Sequence, residues 1–154
     1  MYQSIFERPM QKDAPLHFTL PEWIALAPFE EFLGMHIETA CEGKATLSMP
    51  FSVAHCQGMG LMHGGAVASL ADTALAIAIK TVLPEGTHFA TIHMSMKFHA
   101  PVRWGRVLAH ASVTEQTERD IRGEVGIFTE EGIKAATFQA VFRIKQQRQE
   151  NIAA

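Results

Sequence analysis

His63, Gly64 and Gly65 run directly into an apolar segment, residues 66–79, whose one charge is Asp72. An ionised carboxylate inside an apolar helix is costly unless it is paired, hydrogen-bonded or open to a solvated cleft. Asp72 is therefore a candidate functional acid. The two glycines leave the backbone amides at the helix start unobstructed, and with the helix dipole behind them these amides form a site for developing negative charge. Attack on an ester or thioester carbonyl needs both parts: a nucleophile or base, and donors where the oxyanion forms. Gly64 and Asp72 stand eight positions apart, roughly 12 Å of helical rise. A substrate must lie along the helix, or an adjacent chain must complete the pocket. The plainer alternative is a turn that only starts a helix and an Asp that only faces water.

The elements that must hold these residues follow from periodicity. Only Ser69, Asp72 and Thr73 interrupt residues 66–79, so the segment predicts a helix covered on every side. Ser69 and Thr73 read as packing hydroxyls, since neither sits in a nucleophile-elbow sequence; Thr73 is also placed to line a pocket. Pro21, Glu22 and Trp23 predict a short helix that opens on proline and ends before Gly34. Residues 37–40 and 45–51 form a hairpin about the turn Glu42-Gly43-Lys44. Residues 91–100 alternate, with Ile92, Met94, Met96 and Phe98 packing on the helix and Thr91, His93, Ser95, Lys97 and His99 on the other face. Residues 107–113, 121–129 and 133–144 complete the strands, the last two separated by Glu130-Glu131-Gly132. One buried helix with five to six antiparallel strands predicts an α+β fold, a curved sheet wrapped around that helix.

The chain of 154 residues, 47% hydrophobic and 19% charged, fits one domain. It divides into an arm (1–20), a domain (21–145) and a polar tail (146–154). The net charge of −3 and the scattered 13 basic residues exclude a basic stripe for nucleic acid or a polybasic membrane patch. The start of the chain lacks the pattern of a secretory signal. The apolar segment, interrupted by Asp72, is too short to span a bilayer. Cys41 and Cys56 lack Cys-x-x-Cys spacing and predict reduced thiols in the cytoplasm. His93 and His99 share a strand face without metal-ligand spacing, so no metal is expected.

The residues Pro28-Phe29, Leu33-Gly34, residues 60–65 (Gly-Leu-Met-His-Gly-Gly) and residues 69–72 (Ser-Leu-Ala-Asp) resemble the hotdog-fold acyl-CoA thioesterases. The likeness is to the phenylacetate-pathway type and its relatives, the 4-hydroxybenzoyl-CoA thioesterases. The resemblance implies a homodimer or homotetramer that hydrolyses an acyl-CoA, with coenzyme A entering only as part of the substrate and no other cofactor. It implies that the Gly64 N–H polarises the thioester carbonyl and that Asp72 attacks it or activates water. Gln57 would hold the carbonyl or the water, and Thr91, contributed across the dimer, would position water. His63 and Gly65 would shape the substrate-binding turn, His63 fixing the presentation of Gly64. Relatives with Asp on the helix usually carry Asn at the loop position, whereas here Gln57 accompanies Asp72; a loop amide capping local backbone is its other reading. Arg119 and Arg122 are candidates for coenzyme A phosphates, or a solvated rim. The alternatives are a non-catalytic acyl-CoA binding protein and a 3-hydroxyacyl-thioester dehydratase, whose usual His-Phe-Pro loop this sequence lacks.

Overall fold

A computed structural model describes residues 11, 12 and 18–146. Most of the arm and nearly all of the tail therefore lie outside the described residues. The elements run α1 (Pro28–Phe32), β1 (His36–Cys41), β2 (Lys44–Pro50), a 3₁₀ turn (Val53–His55), α2 (Gly64–Lys80), β3 (Phe89–Phe98), β4 (Arg106–Gln116), β5 (Asp120–Phe128) and β6 (Lys134–Ile144). The six strands form one antiparallel sheet in the order β1-β2-β4-β5-β6-β3. The sheet wraps around α2, as the resemblance implies.

The first helix starts at Pro28 rather than Pro21. Proline restricts the residue before it to extended backbone, so a helix begun at Pro21 could not run through Ala27, which is extended here. Pro28 occupies the start of the helix and the Glu30 carboxylate accepts the Ala27 N–H at 2.9 Å. The β1–β2 hairpin turns on Glu42 and Gly43, both with positive φ (49° and 74°). That is the two-residue turn whose twist matches paired strands. Its Gly43 N–H donates to Thr81 Oγ1 at 2.7 Å, tying the hairpin to the end of α2.

Helix α2 spans 17 residues and buries Val67, Leu70, Ala71, Ala74, Leu75, Ile77, Ala78 and Ile79 against Leu47, Met49, Val107, Ala109, Ile121, Val125, Ile127 and Phe138. At Gly123 the sheet itself makes room: an added Cβ would meet Ser112 O at 2.6 Å and the Leu75 side chain. The expectation of a helix covered on every side does not hold. Ser69, Asp72, Thr73, Ala76 and Lys80 form a stripe that is only half-buried, because one concave sheet cannot close around a whole helix.

Strand β3 departs further. It pairs only with β6 and forms an edge of the sheet. Met94, Met96 and Phe98 lie opposite Ala140, Phe138 and Ala136, on the inward face that the alternation predicts. Yet Ile92, Met94 and Phe98 remain 51%, 53% and 56% exposed, and only Met96 is half-buried. Of these, Phe98 reaches only the start of α2, its ring 3.3 Å from where a Cβ on Gly64 would stand. The register slips between Thr91 and His93, so Ile92 is an extra residue in a bulge. Thr91 then stands opposite the buried Phe142 and points inward, where strict alternation places it outward.

No helix among the described residues is long and apolar enough to cross a membrane. Gly123→Val, which must displace Leu75 and the neighbouring strand, is expected to lower unfolding stability by about 1–3 kcal/mol, the usual cost of overpacking. Urea unfolding followed by far-UV circular dichroism measures it, and unchanged stability would contradict the helix–sheet contact.

Candidate active site

Asp72 lies midway along the open stripe of α2. Its Oδ1 accepts the Thr91 hydroxyl proton at 2.9 Å, a contact that exists because the Ile92 bulge turns Thr91 inward. Burial raises the Asp72 pKa above the ordinary carboxylate value, the Thr91 hydrogen bond pulls it back, and the charge of Glu30 pushes it up again. Thr91 makes this contact within its own chain.

Asp72, Thr73 and Thr91 line one cavity of about 360 Å³ together with Glu30, Trp23, Ala76, Lys80, Phe89 and Phe142. Glu30, Trp23 and Lys80 are not candidates in the sequence, since no local pattern links them to Asp72. Glu30 and Trp23 come close because α1 and the segment before it cross α2, whereas Lys80 lies roughly two turns beyond Asp72 on α2 itself. Burial lowers the Lys80 pKa while Glu30 opposes the shift.

The other predicted half gathers at the start of α2. His63 is the N-cap, and its Nδ1 accepts the Gly65 N–H at 2.8 Å. A Cβ on Gly65 would stand 2.9 Å from that nitrogen, so glycine is required for the ring to cap. His63 N–H in turn donates to His55 O at 2.7 Å. These two contacts fix the turn that presents Gly64. Among the described residues, no acceptor takes the Gly64 N–H. Orphan amides of this kind at a helix start favour negative charge.

Gln57 closes the loop 57–62. Its backbone N–H donates to Leu61 O at 2.8 Å and its carbonyl accepts Gly60 N–H at 2.9 Å. Its side-chain oxygen takes the Met59 N–H, which matches the local-cap reading and leaves the side-chain NH₂ as its available donor. Gln57 and Gly64 line a second cavity, about 190 Å³, with Met62, Val67 and Phe98. His63 and Gly65 line neither cavity.

Within one chain the structure therefore brings Asp72, Thr73 and Thr91 together, and Gln57 with Gly64, but leaves the two groups in separate cavities. Ser69 donates to Gly65 O at 2.7 Å, a helix-packing role. Arg122 pairs with Glu115 at 3.4 Å, and both Arg119 and Arg122 are exposed. Among the described residues, no three His, Cys, Asp or Glu side chains are grouped to hold a metal ion.

The sequence model of the Thioesterase superfamily matches residues 59–136, from the Gln57 loop through the start of β6. A Halobacterium salinarum protein provisionally named an esterase is 37% identical over 87 residues, 53% of this chain and 57% of that protein. The match thus spans little more than half the length of this curated relative. A mutant form of the phenylacetic acid degradation protein PaaI from Thermus thermophilus is similar at 28% identity and a TM-score of 0.70, covering 76% of this chain and 98% of that one. PaaI of the Escherichia coli phenylacetic acid degradation operon gives 25% identity and a TM-score of 0.72, over 78% and 86%.

Replacing Thr91 with Val removes the interaction that lowers the Asp72 pKa, so the carboxyl is expected to titrate at higher pH in that variant by carbon-13 NMR. An unmoved titration would contradict the contact. The native carboxyl holds its proton more tightly than the unfolded one. Wild type should therefore lose stability relative to Asp72→Asn as pH rises from about 3.9, the ordinary Asp value, through the raised native value.

Proposed function

Because the chain belongs to the Thioesterase superfamily, a hotdog-fold family of thioester hydrolases, we propose that it hydrolyses an acyl-CoA to the free acid and coenzyme A. The observation that carries this reading is Asp72: a half-buried carboxylate with a raised pKa, held by Thr91 beside a cavity. A carboxylate so placed is more basic than an exposed one and is fixed in orientation.

The site is completed by a second copy. One chain keeps Gly64 and Asp72 roughly 12 Å apart along α2, and its β3 edge offers unpaired backbone groups flanked by exposed Ile92, Met94 and Phe98. Edges of this kind are stabilised by pairing. Antiparallel pairing of two such edges would carry Gln57 and Gly64 of one chain toward Asp72 and Thr91 of the other. Homodimers, stacking further into tetramers, are the assembly of this reading.

The thioester carbonyl oxygen accepts the Gly64 N–H, aided by the Gln57 NH₂, and charge developing on it meets the positive end of α2. Asp72 either adds to the carbonyl carbon, giving a mixed anhydride that water then hydrolyses, or removes a proton from water as it adds. In both routes the C–S bond breaks and coenzyme A leaves as the thiolate. Thr91 orients the carboxylate. The exposed free thiols Cys41 and Cys56 suit the reducing cytoplasm expected from the sequence.

Thiol release from acyl-CoA substrates should fall at least about a hundredfold in Asp72→Asn. Gly64→Pro should cost about a hundredfold or more by deleting one oxyanion donor. The preceding His63 is already extended and proline is tolerated at a first helical position. Coexpressing the two inactive variants should restore part of the activity in mixed dimers; no recovery would place the halves in one chain. In wild type, kcat/KM should rise with pH through the raised Asp72 pKa, so its acid limb lies above about 3.9.

Met94→Lys, which sets charge on the exposed edge face, should shift sedimentation toward monomer and abolish turnover together. A variant that stays dimeric and active would exclude β3 as the interface.

A further inference from the structure

Residues 20–27 form a strap across the C-terminal half of α2, and it is clasped in place. Trp23 Nε1 donates to Lys80 O at 2.9 Å, Lys80 Nζ donates back to Trp23 O at 2.9 Å, and that ammonium lies 4.9 Å from the Trp23 ring centroid. The clasp satisfies a carbonyl in the last turn of α2 and desolvates a lysine, whose pKa burial lowers. A connector that only linked the arm to α1 would need none of this.

What the strap does is roof a cavity. Trp23 forms one wall, the α2 stripe with Asp72 and Ala76 a second, and Phe89 and Phe142, with ring centroids 5.8 Å apart, a third. The volume, about 360 Å³, lies in the range of small-molecule sites. On the helix wall the side chain one turn beyond Asp72 is a single methyl, Ala76, and it is only half-buried. The space next to the carboxylate is thus kept open by a small residue and bounded by three aromatic ones, while Glu30, Thr73, Lys80, Thr87 and His88 supply the polar part of its lining.

We propose that this cavity receives the acyl group, that the acyl group is bulky and apolar (an aryl or medium-length alkyl acid rather than acetate), and that Ala76 and Trp23 set its size. The inference rests on the thioesterase reading above and deepens it. Ala76 sets the width beside the carboxylate; Trp23 closes the far wall, and its clasp with Lys80 holds the strap at that distance. Both are specificity-determining residues, since neither supplies a group to the reacting atoms.

The test is kcat/KM for acetyl-, octanoyl-, dodecanoyl- and phenylacetyl-CoA in wild type, Ala76→Phe, Ala76→Leu and Trp23→Ala. Circular dichroism melts identify any variant that fails to fold. Wild type should favour octanoyl- or phenylacetyl-CoA over acetyl-CoA by about tenfold or more, and Ala76→Phe should remove about that factor, with Ala76→Leu intermediate, since a methylene in an apolar pocket is worth about tenfold or more. Whichever of the two substrates responds identifies the acyl class. Trp23→Ala should raise the dodecanoyl-to-octanoyl ratio. Hydrolysis with all ratios unchanged in the folded variants would overturn the acyl-pocket assignment while leaving the thioesterase reading intact. Absence of turnover on every thioester by wild type would overturn both.

Discussion

The packing of α2 into the concave face of one sheet is the constraint on which the other features depend. Burial of Leu70, Leu75, Ile77 and Ile79 among strand residues such as Leu47, Val107, Ile121 and Ile127 supplies the apolar area that holds a domain of this size together. A sheet that contacts the helix from one side leaves its opposite stripe partly open, and there the polar residues Ser69, Asp72 and Thr73 can stand without an intolerable desolvation cost. The same geometry thins the coverage at β3, which meets α2 through Thr91 at Asp72 and Phe98 near Gly64 and leaves Met94 exposed.

Electrostatics in the stripe are balanced rather than neutralised. A hydroxyl donor lowers the Asp72 pKa and a second carboxylate, Glu30, raises it, with burial dominating. Full pairing with a cation would have lowered the pKa and weakened the group as a base. Placing a hydrogen-bond donor there fixes the carboxylate's direction and leaves it reactive. At the other end of α2 the His63 ring caps the Gly65 amide, which leaves the neighbouring Gly64 amide open to a ligand.

The sheet edge and the divided site are one problem with one resolution. A single chain has an unprotected β3 edge, an exposed apolar row and two half-sites at different turns of the same helix. In the proposed dimer, pairing two copies along that edge would cover the row and join complementary halves, which would couple assembly to activity.

Much is legible in the sequence because it is local. The hairpin at Glu42-Gly43, the strand periods, the long apolar helix and the isolated charge of Asp72 all follow from short-range backbone preference and patterning, and the His63-Gly64-Gly65 turn carries its own capping chemistry. The start of α1 is not legible in the same way, because Pro21 and Pro28 both satisfy the rule for a first helical position, and only the cap from Glu30 and the extended Ala27 distinguish them. What the tertiary structure decided depends on contacts distant in sequence. A one-residue bulge at Ile92 reverses the facing of Thr91 and delivers it to Asp72, which alternation alone assigns to the wrong side. The strap over α2 brings Trp23 to Lys80 across 57 positions, and α1 brings Glu30 near Asp72. The sequence by itself determined which groups could do chemistry; register and packing decided which of them meet, because a shift of one residue in a strand exchanges its two faces.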